Sequence, residues 1–354
     1  MPAAAVKPAL IVAIRIRRMA LGIALALLFY LLADWPGAFV APILASAILT
    51  LPMPAPNLKF AAGFIALLGG ALMVGLLFLP LLHYQPMAAV LLILLALFHC
   101  FYYGTRGGSP AVITFLVIGL TVIPAIGSES IDAALGITGG LISGAVASFL
   151  IIALVHCLFP DPELPPPPPA ARPALPLCAS SALRSTVIVV PPLLWMLLTS
   201  ESSAYAAVLI KVAAMGQQSS LESTRAAGKD LLDSTLVGGL AAIVVWNILQ
   251  IWPTPLIYCL LYLLAGLIFG PRIFSGAGLA PRGAMWAYGL LTMMVIIMPG
   301  AMDTAGGDGA QTRFFDRVSM FGLATLYAVA AVHLFDRLWP RAEQCVIAYP
   351  DTSR

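Results

Sequence analysis

Apolar segments close to the ~20 residues needed to cross a bilayer recur along the whole chain, and each stops at a proline, a glycine or a charge. Lipid offers no hydrogen-bond partner to the backbone, so unbroken apolar segments of this length fold as helices that satisfy their own N–H and C=O groups. Composition agrees with this reading. Apolar residues make up 61% of the 354 and charged residues 9%, where soluble domains average about 45–50% and 25%. So few charges cannot clothe a surface that faces water. A soluble enzyme, a nucleic-acid binder and a disordered scaffold are excluded, which leaves an all-α polytopic membrane protein in contact with the lipid bilayer.

Bounding the apolar runs by Pro, Gly or charge predicts about twelve transmembrane helices, near 17–33, 36–51, 60–79, 87–103, 110–126, 134–158, 182–199, 204–219, 230–249, 255–269, 284–299 and 317–338. The second is the weakest, since Pro42 removes a helix hydrogen bond and Pro52, Pro54 and Pro56 follow. Pro191-Pro192 predicts a kink in the seventh. The charges test the map. With a cytoplasmic N-terminus, 15 of the 18 Lys and Arg residues fall on the inner side, among them Arg15, Arg17, Arg18, Lys59, Arg184 and Arg282. Only Arg313 and Arg317 lie outside, Lys211 falls within a span, and the outer connections carry Asp34, Glu129, Asp132, Glu201, Asp303 and Asp308. Each miscounted helix would invert everything after it, so the asymmetry argues for an even span number with both termini cytoplasmic. The first apolar run ends on Asp34-Trp35-Pro36 rather than on a small-residue cleavage site, so it reads as a retained span.

The Pro-rich stretch around Pro165–Pro169 reads as a semi-rigid cytoplasmic linker. It divides the chain into a first six-span repeat (1–159), the linker (160–181), a second six-span repeat (182–340) and a tail (341–354). Local features recur in order. Lys59 precedes Gly69-Gly70 as Lys229 precedes Gly238-Gly239, the sixth and twelfth spans end at Pro160 and Pro340, and the fifth and eleventh end on Pro124 and Pro299. An even number of spans per half makes the repeats parallel, and a substrate path is often placed where such repeats meet.

An Arg near the start of each half (Arg18, Arg184), Asp34-Trp35-Pro36, a Lys before a Gly-containing third span, Arg317 and a terminal Pro together resemble the fusaric acid resistance family. That family includes aromatic carboxylic acid efflux proteins of bacterial inner membranes. The resemblance implies proton-coupled export of small amphipathic anions from an inner membrane and a periplasmic membrane-fusion adaptor as partner. Larger members carry a cytoplasmic domain after each membrane half; here the 160–181 linker and the 341–354 tail stand in their place.

Several residues are candidates for a substrate or proton pathway. Lys211 sits near the middle of the eighth expected span, where a charge costs about 2.5–3.5 kcal/mol on insertion scales. It either lines a pathway or snorkels from a short helix. Gln217, Gln218 and Glu222 follow in a polar run that is either an inner mouth or a wet loop. Asp230 reads as an acid at a helix start, and Asp233, one turn deeper, as the counter-ion of Lys211 or an i,i+4 partner of Lys229. Arg313, Asp316 and Arg317 either meet an anion on its way out or anchor the twelfth span at the headgroups. His99 is either a proton relay or a hydrogen-bonded packing residue. Gly136, Gly140 and Gly144, with Ser148 next in step, follow small-xxx-small spacing and predict close helix packing, as do Gly69, Gly70, Gly238 and Gly239.

No G-x-x-x-x-G-K-[ST], H-E-x-x-H or G-x-S-x-G motif is present, and the five cysteines form no CxxC. Neither a cofactor nor a metal is expected, nor an enzyme. The sequence favours a secondary transporter, with a passive anion channel as the alternative and homo-oligomerisation left open.

Overall fold

The computed structural model describes residues 8–33, 39–160, 179–198, 224–276, 278–302 and 310–338. Among them are eleven helices: α1 (Pro8–Ala33), α2 (Val40–Leu49), α3 (Leu58–Tyr84), α4 (Pro86–Thr105), α5 (Pro110–Gly127), α6 (Ile131–Leu158), α7 (Ala179–Leu198), α8 (Thr224–Ile251), α9 (Pro255–Ile273), α10 (Gly283–Met302) and α11 (Ala310–Leu338). The one sheet among these residues is a two-residue antiparallel hairpin, β1 (Phe274–Ser275) with β2 (Gly278–Leu279). The expected span at 204–219 lies outside the described residues.

Six helices (α1, α3, α4, α6, α9 and the Leu232–Ile251 part of α8) are long and apolar enough to cross a membrane. Val40–Leu49, Ala111–Gly127, Ala182–Trp195 and Gly283–Met298 are shorter apolar helical segments. The protein is therefore an all-α, multi-pass membrane protein. The weak second span is indeed short: α2 has 10 residues, about 15 Å against a hydrocarbon core of about 30 Å. The prolines explain the breaks. Pro86, Pro110 and Pro255 each open a helix at its first turn, where the missing N–H costs nothing. Gln85 alone, at φ −142° and ψ 67°, separates α3 from α4, because the residue before a proline is pushed out of the helical region. Pro191 and Pro192 both lie inside α7, whose helical assignment runs through them.

The helices form two compact units, each drawn from both sides of the Pro-rich stretch. The first comprises Met1–Ile65, Gly139–Pro166 and Asp230–Phe321. In it α1 packs against α9, α2 packs against α1 and α10, and β1 closes over α1 and α9. The α1–α9 contact is antiparallel and backbone-close: a Cβ placed on Gly266 would meet the Ala20 Cα at 2.7 Å, and one on Gly270 would meet Ile16 at 2.8 Å. At the far end of the pair, Tyr30 Oη donates to the Met298 carbonyl at 3.2 Å. Ser148 of α6 is fully buried and its hydroxyl lies 2.8 Å from the carbonyl oxygens of both Ala41 and Gly144. Gly140 and Gly144 of α6 are also buried and Gly136 is partly so.

The second unit comprises Ala66–Thr138, Pro167–Lys229 and Gly322–Arg354. There α4 packs against α5 and α7, and α5 also touches α7. The α4 face that carries Ala89, Ile93, Leu97 and Cys100 is buried, while Leu91, Leu92 and Leu95 are exposed. Helices α3 and α5 run parallel, Ala71 and Gly75 meeting Gly119 and, further along, Leu79 meeting Gly127. A parallel pair requires α4 to return between them.

Candidate functional site

Helix α1 begins at Pro8, nine residues before the expected start of the first span. Its arginines therefore lie two to three turns inside the helix rather than at its end. Arg15 and Arg18, three residues apart, share the face that buries Ile11, Met19 and Gly22, while Arg17 points away and is exposed. Arg18 is 2% exposed and Arg15 4%. The arginine near the start of α7, Arg184, is likewise buried at 6%. Sequence reasoning uses all three as markers of the inner side, and Arg18 and Arg184 also as the arginine that opens each half in the family resemblance. The signal that could have found the first two was the 11–15–18–22 spacing, which places them on one helical face.

Arg18 lines a small cleft in the first unit together with Ile48, Leu49, Leu51, Met53, Pro54, Pro56, Phe60 and His156. The wall is built by the end of α2, the connection into α3, and the last turns of α6. Pro52, Pro54 and Pro56 fix φ along that connection and remove its donors there. His156 is 8% exposed, and its Nδ1 lies 2.7 Å from the Ile152 carbonyl. A carbonyl oxygen only accepts, so Nδ1 carries the hydrogen and Nε2 is the acceptor of the neutral ring. Phe60 continues into an aromatic cluster. Its ring lies 6.2 Å from Phe149 at 75°, and Phe64 lies 5.1 Å from Phe149 at 74°, both within the range of favourable edge-to-face packing.

A second charged cluster lies where α8 meets the turn before α10. Arg282 pairs with Asp233 and, at 3.4 Å, with Asp230. These hydrogen bonds, Asp233 first and Asp230 second, hold the Arg282 guanidinium above its ordinary pKa, so it stays charged. All three side chains are substantially exposed to solvent, which limits the worth of the pairs. Two expectations change here. Helix α8 begins at Thr224 and has no acid in its first turn, so Asp230 is not a helix-start acid. Asp233 pairs with Arg282 rather than with Lys229, which is exposed.

The remaining sequence candidates do not gather around either cluster. Lys211, Gln217, Gln218 and Glu222 lie outside the described residues. His99 is exposed on α4, with Nδ1 2.8 Å from the Leu95 carbonyl of its own helix, which is the hydrogen-bonded arrangement. Arg313, Asp316 and Arg317 fall in the first turns of α11, and of these only Asp316 has a described side chain, an exposed one. The glycine pairs need correction in part. Gly70 and Gly239 face open space, and Gly238 packs against Gly289 and Thr292. Its counterpart on α3 is Gly75, two turns beyond Gly69 rather than beside it. Ala71 and Gly75 receive Gly119, just as Ser234 and Gly238 receive Gly289. Among the described residues no group of three or more His, Cys, Asp or Glu could hold a metal ion.

Residues 15–155 match the model of a family described as Protein of unknown function (DUF2955). The match runs from the buried Arg15 through most of α6, rather less than half of the chain. No curated protein and no solved structure matches the chain.

Proposed function

We propose that this membrane protein is a secondary transporter that exports small amphipathic anions, aromatic carboxylic acids being the type, by proton exchange across a bacterial inner membrane. The resemblance to the fusaric acid resistance family supplies the substrate class and the direction. The reading further takes the chain as twelve spans in two parallel six-helix repeats with both termini cytoplasmic. Three features support the repeat. Helix α1 packs on α9 and α4 packs on α7, so the first helix of each half meets the fourth of the other. The glycine crossing of α3 with α5 recurs between α8 and α10. The DUF2955 match ends at residue 155, close to the expected end of the first repeat at 159.

The observation that carries the transport reading is the buried arginines near the start of the two halves, Arg15 and Arg18 in α1 and Arg184 in α7. Charged side chains within membrane helices are costly and characteristically mark ion or substrate pathways. Transport rather than an enzymatic reaction is proposed. A periplasmic adaptor and a homo-oligomer belong to the same proposal. The test is efflux of labelled aromatic acids from cells with and without the gene, each with and without an uncoupler. Gene-dependent efflux abolished by the uncoupler supports exchange. Efflux that persists and follows the concentration gradient supports the passive channel, and no gene-dependent flux refutes transport of this class. Lys211→Met is expected to lower efflux while the protein stays in the membrane; unchanged efflux would remove Lys211 from the pathway.

A further inference from the structure

We infer that the exposed face of α9 ends in a retention site for one anionic phospholipid, whose phosphate is taken by Arg272 and whose acyl chain lies along Leu260, Leu264 and Ile268. The site needs only that α9 crosses the membrane, so it goes beyond the transport reading and neither result of the efflux test bears on it. Helix α9 is long and apolar enough to cross a bilayer, and Arg272 is its next-to-last residue, which puts the charge at the hydrocarbon boundary. Leu260, Leu264 and Ile268 precede it at intervals of four, and all four residues are exposed. Residues spaced in this way form one inclined ridge on a helix. From Leu260 to Arg272 the ridge runs about 18 Å, a little over half of a hydrocarbon core of about 30 Å. The acyl chain of one leaflet therefore matches its apolar part, and the phosphate above that chain falls at the guanidinium.

The charge of Arg272 is available. Its Nη1 donates to the Ile268 carbonyl of its own helix at 2.9 Å, and its guanidinium carbon lies 4.8 Å from the centre of the Trp286 ring. A guanidinium has five N–H donors, and an aromatic ring attracts a cation without neutralising it, so most of the donors and the whole charge remain. Among the described residues no acid pairs with Arg272. Arg282, the next cation along the chain, is already committed to Asp233 and Asp230. Trp286 is steadied in turn by buried Phe269, whose ring meets it at 5.7 Å and 79°. Arg272 is thus a braced fork, and a fork of this shape matches two phosphate oxygens. The ridge is an open face, so no cavity has to hold the lipid. A zwitterionic headgroup brings its own cation to the phosphate, whereas phosphatidylglycerol brings none, which favours the anionic lipid at an unpaired arginine. A second copy of the chain fits less well. An isologous pair within the membrane sets equal depths against each other, and so opposes one unpaired Arg272 with another.

The full-length protein is reconstituted in vesicles of phosphatidylcholine and phosphatidylglycerol in equal amounts and extracted again in mild detergent. The lipid that stays with each monodisperse sample is measured by mass spectrometry for the wild type, Arg272→Gln, Trp286→Leu and Arg17→Gln. Arg17 is exposed on α1 next to Ile16, which faces Gly270 of α9, so it carries the same charge at the same depth without the ridge. Arg272→Gln is expected to keep about fivefold less phosphatidylglycerol, the effect of one basic residue at an anionic surface, with phosphatidylcholine unchanged. Trp286→Leu leaves the charge and removes its brace, and is expected to keep about threefold less. Arg17→Gln is expected to match the wild type. Arg272 is exposed and pairs with no acid, so glutamine there strands no buried charge, and Trp286→Leu decides the matter should that variant fail to fold. A wild type without preference for phosphatidylglycerol overturns the proposal, as does retention in Arg272→Gln within about twofold of the wild type or full retention in Trp286→Leu. Equal losses in Arg272→Gln and Arg17→Gln also overturn it, by showing that any charge at the boundary serves. So does a wild-type chain that keeps no phosphatidylglycerol and forms a dimer that Arg272→Gln splits, which would assign the ridge to a second copy.

Discussion

The contact between α1 and α9 makes a prediction whose sign depends on geometry. Replacing Gly266 by alanine adds one methyl group, and that carbon would sit 2.7 Å from the Ala20 Cα and 2.8 Å from its Cβ. Non-bonded carbons are most favourable at about 3.5–4.0 Å, so the shortfall is roughly 0.8–1.3 Å. The obstructing atoms include backbone in a helix, which cannot rotate away, so α1 and α9 must separate along their length and lose contacts on both sides of the crossing. Overpacking of this kind costs about 1–3 kcal/mol. At Gly270 the added carbon would meet the Cγ atoms of Ile16 at 2.8 Å, a side chain with some room to yield, so Gly270→Ala should cost less, about 1 kcal/mol. At Gly70 nothing lies within 4 Å, and alanine there should be neutral or stabilising by up to about 1 kcal/mol through its better helix propensity. Thermal denaturation of the three purified variants in detergent, followed by size-exclusion chromatography of the surviving fraction, should order them Gly266→Ala, Gly270→Ala, wild type and Gly70→Ala from least to most stable. Equal midpoints for Gly266→Ala and Gly70→Ala would refute the claim that backbone proximity sets this interface.

Ser148→Ala removes the hydroxyl that α6 offers to the Ala41 carbonyl and should destabilise the protein by about 0.6 kcal/mol, no more than about 1.7; a midpoint shift like that of Gly266→Ala would show that the bond is worth more than membrane hydrogen bonds usually are. Arg282→Asp places like charges beside Asp230 and Asp233, and Asp233→Arg in the same chain should restore thermal stability lost by the single change. A double variant no better than the single one would show that the pairing has no role in holding α8 to that turn. Reporter fusions at the two ends should both report a cytoplasmic location, and opposite locations would break the even span count.

How far the structure could be read from the sequence depends on what distinguishes protein from lipid. The apolar runs and their prolines announce helices, because the backbone must be satisfied within the segment whichever face it presents. Which face packs is another matter. On α4 Ile93 and Leu97 are buried while Leu91 and Leu95 are exposed, and nothing in those side chains separates the two roles, since lipid and protein interior are equally apolar. Small residues carry some of the missing information, yet Gly69-Gly70 draws the eye and Gly75 makes the contact. The candidate site was the least legible part. Arg15 and Arg18 read as positive charge on the inner side, since their burial depends on α1 starting at Pro8. His156 joins Arg18 from far along the chain through a cleft that no local spacing encodes. For Asp233 the sequence offered Lys229 one turn earlier, whereas the partner, Arg282, arrives with a turn that the fold folds back beside α8.

The pairing of α1 with α9 has a consequence for how the molecule is made. Ala20 and Gly266 touch, yet about 250 residues of synthesis lie between them, some 10–50 s at ordinary ribosomal rates. For that interval the first helix sits in the bilayer with the groove meant for its partner unfilled along Ile16 and Ala20. Some other host, the insertion machinery or a provisional neighbour, has to cover that face until the later segment emerges and displaces it.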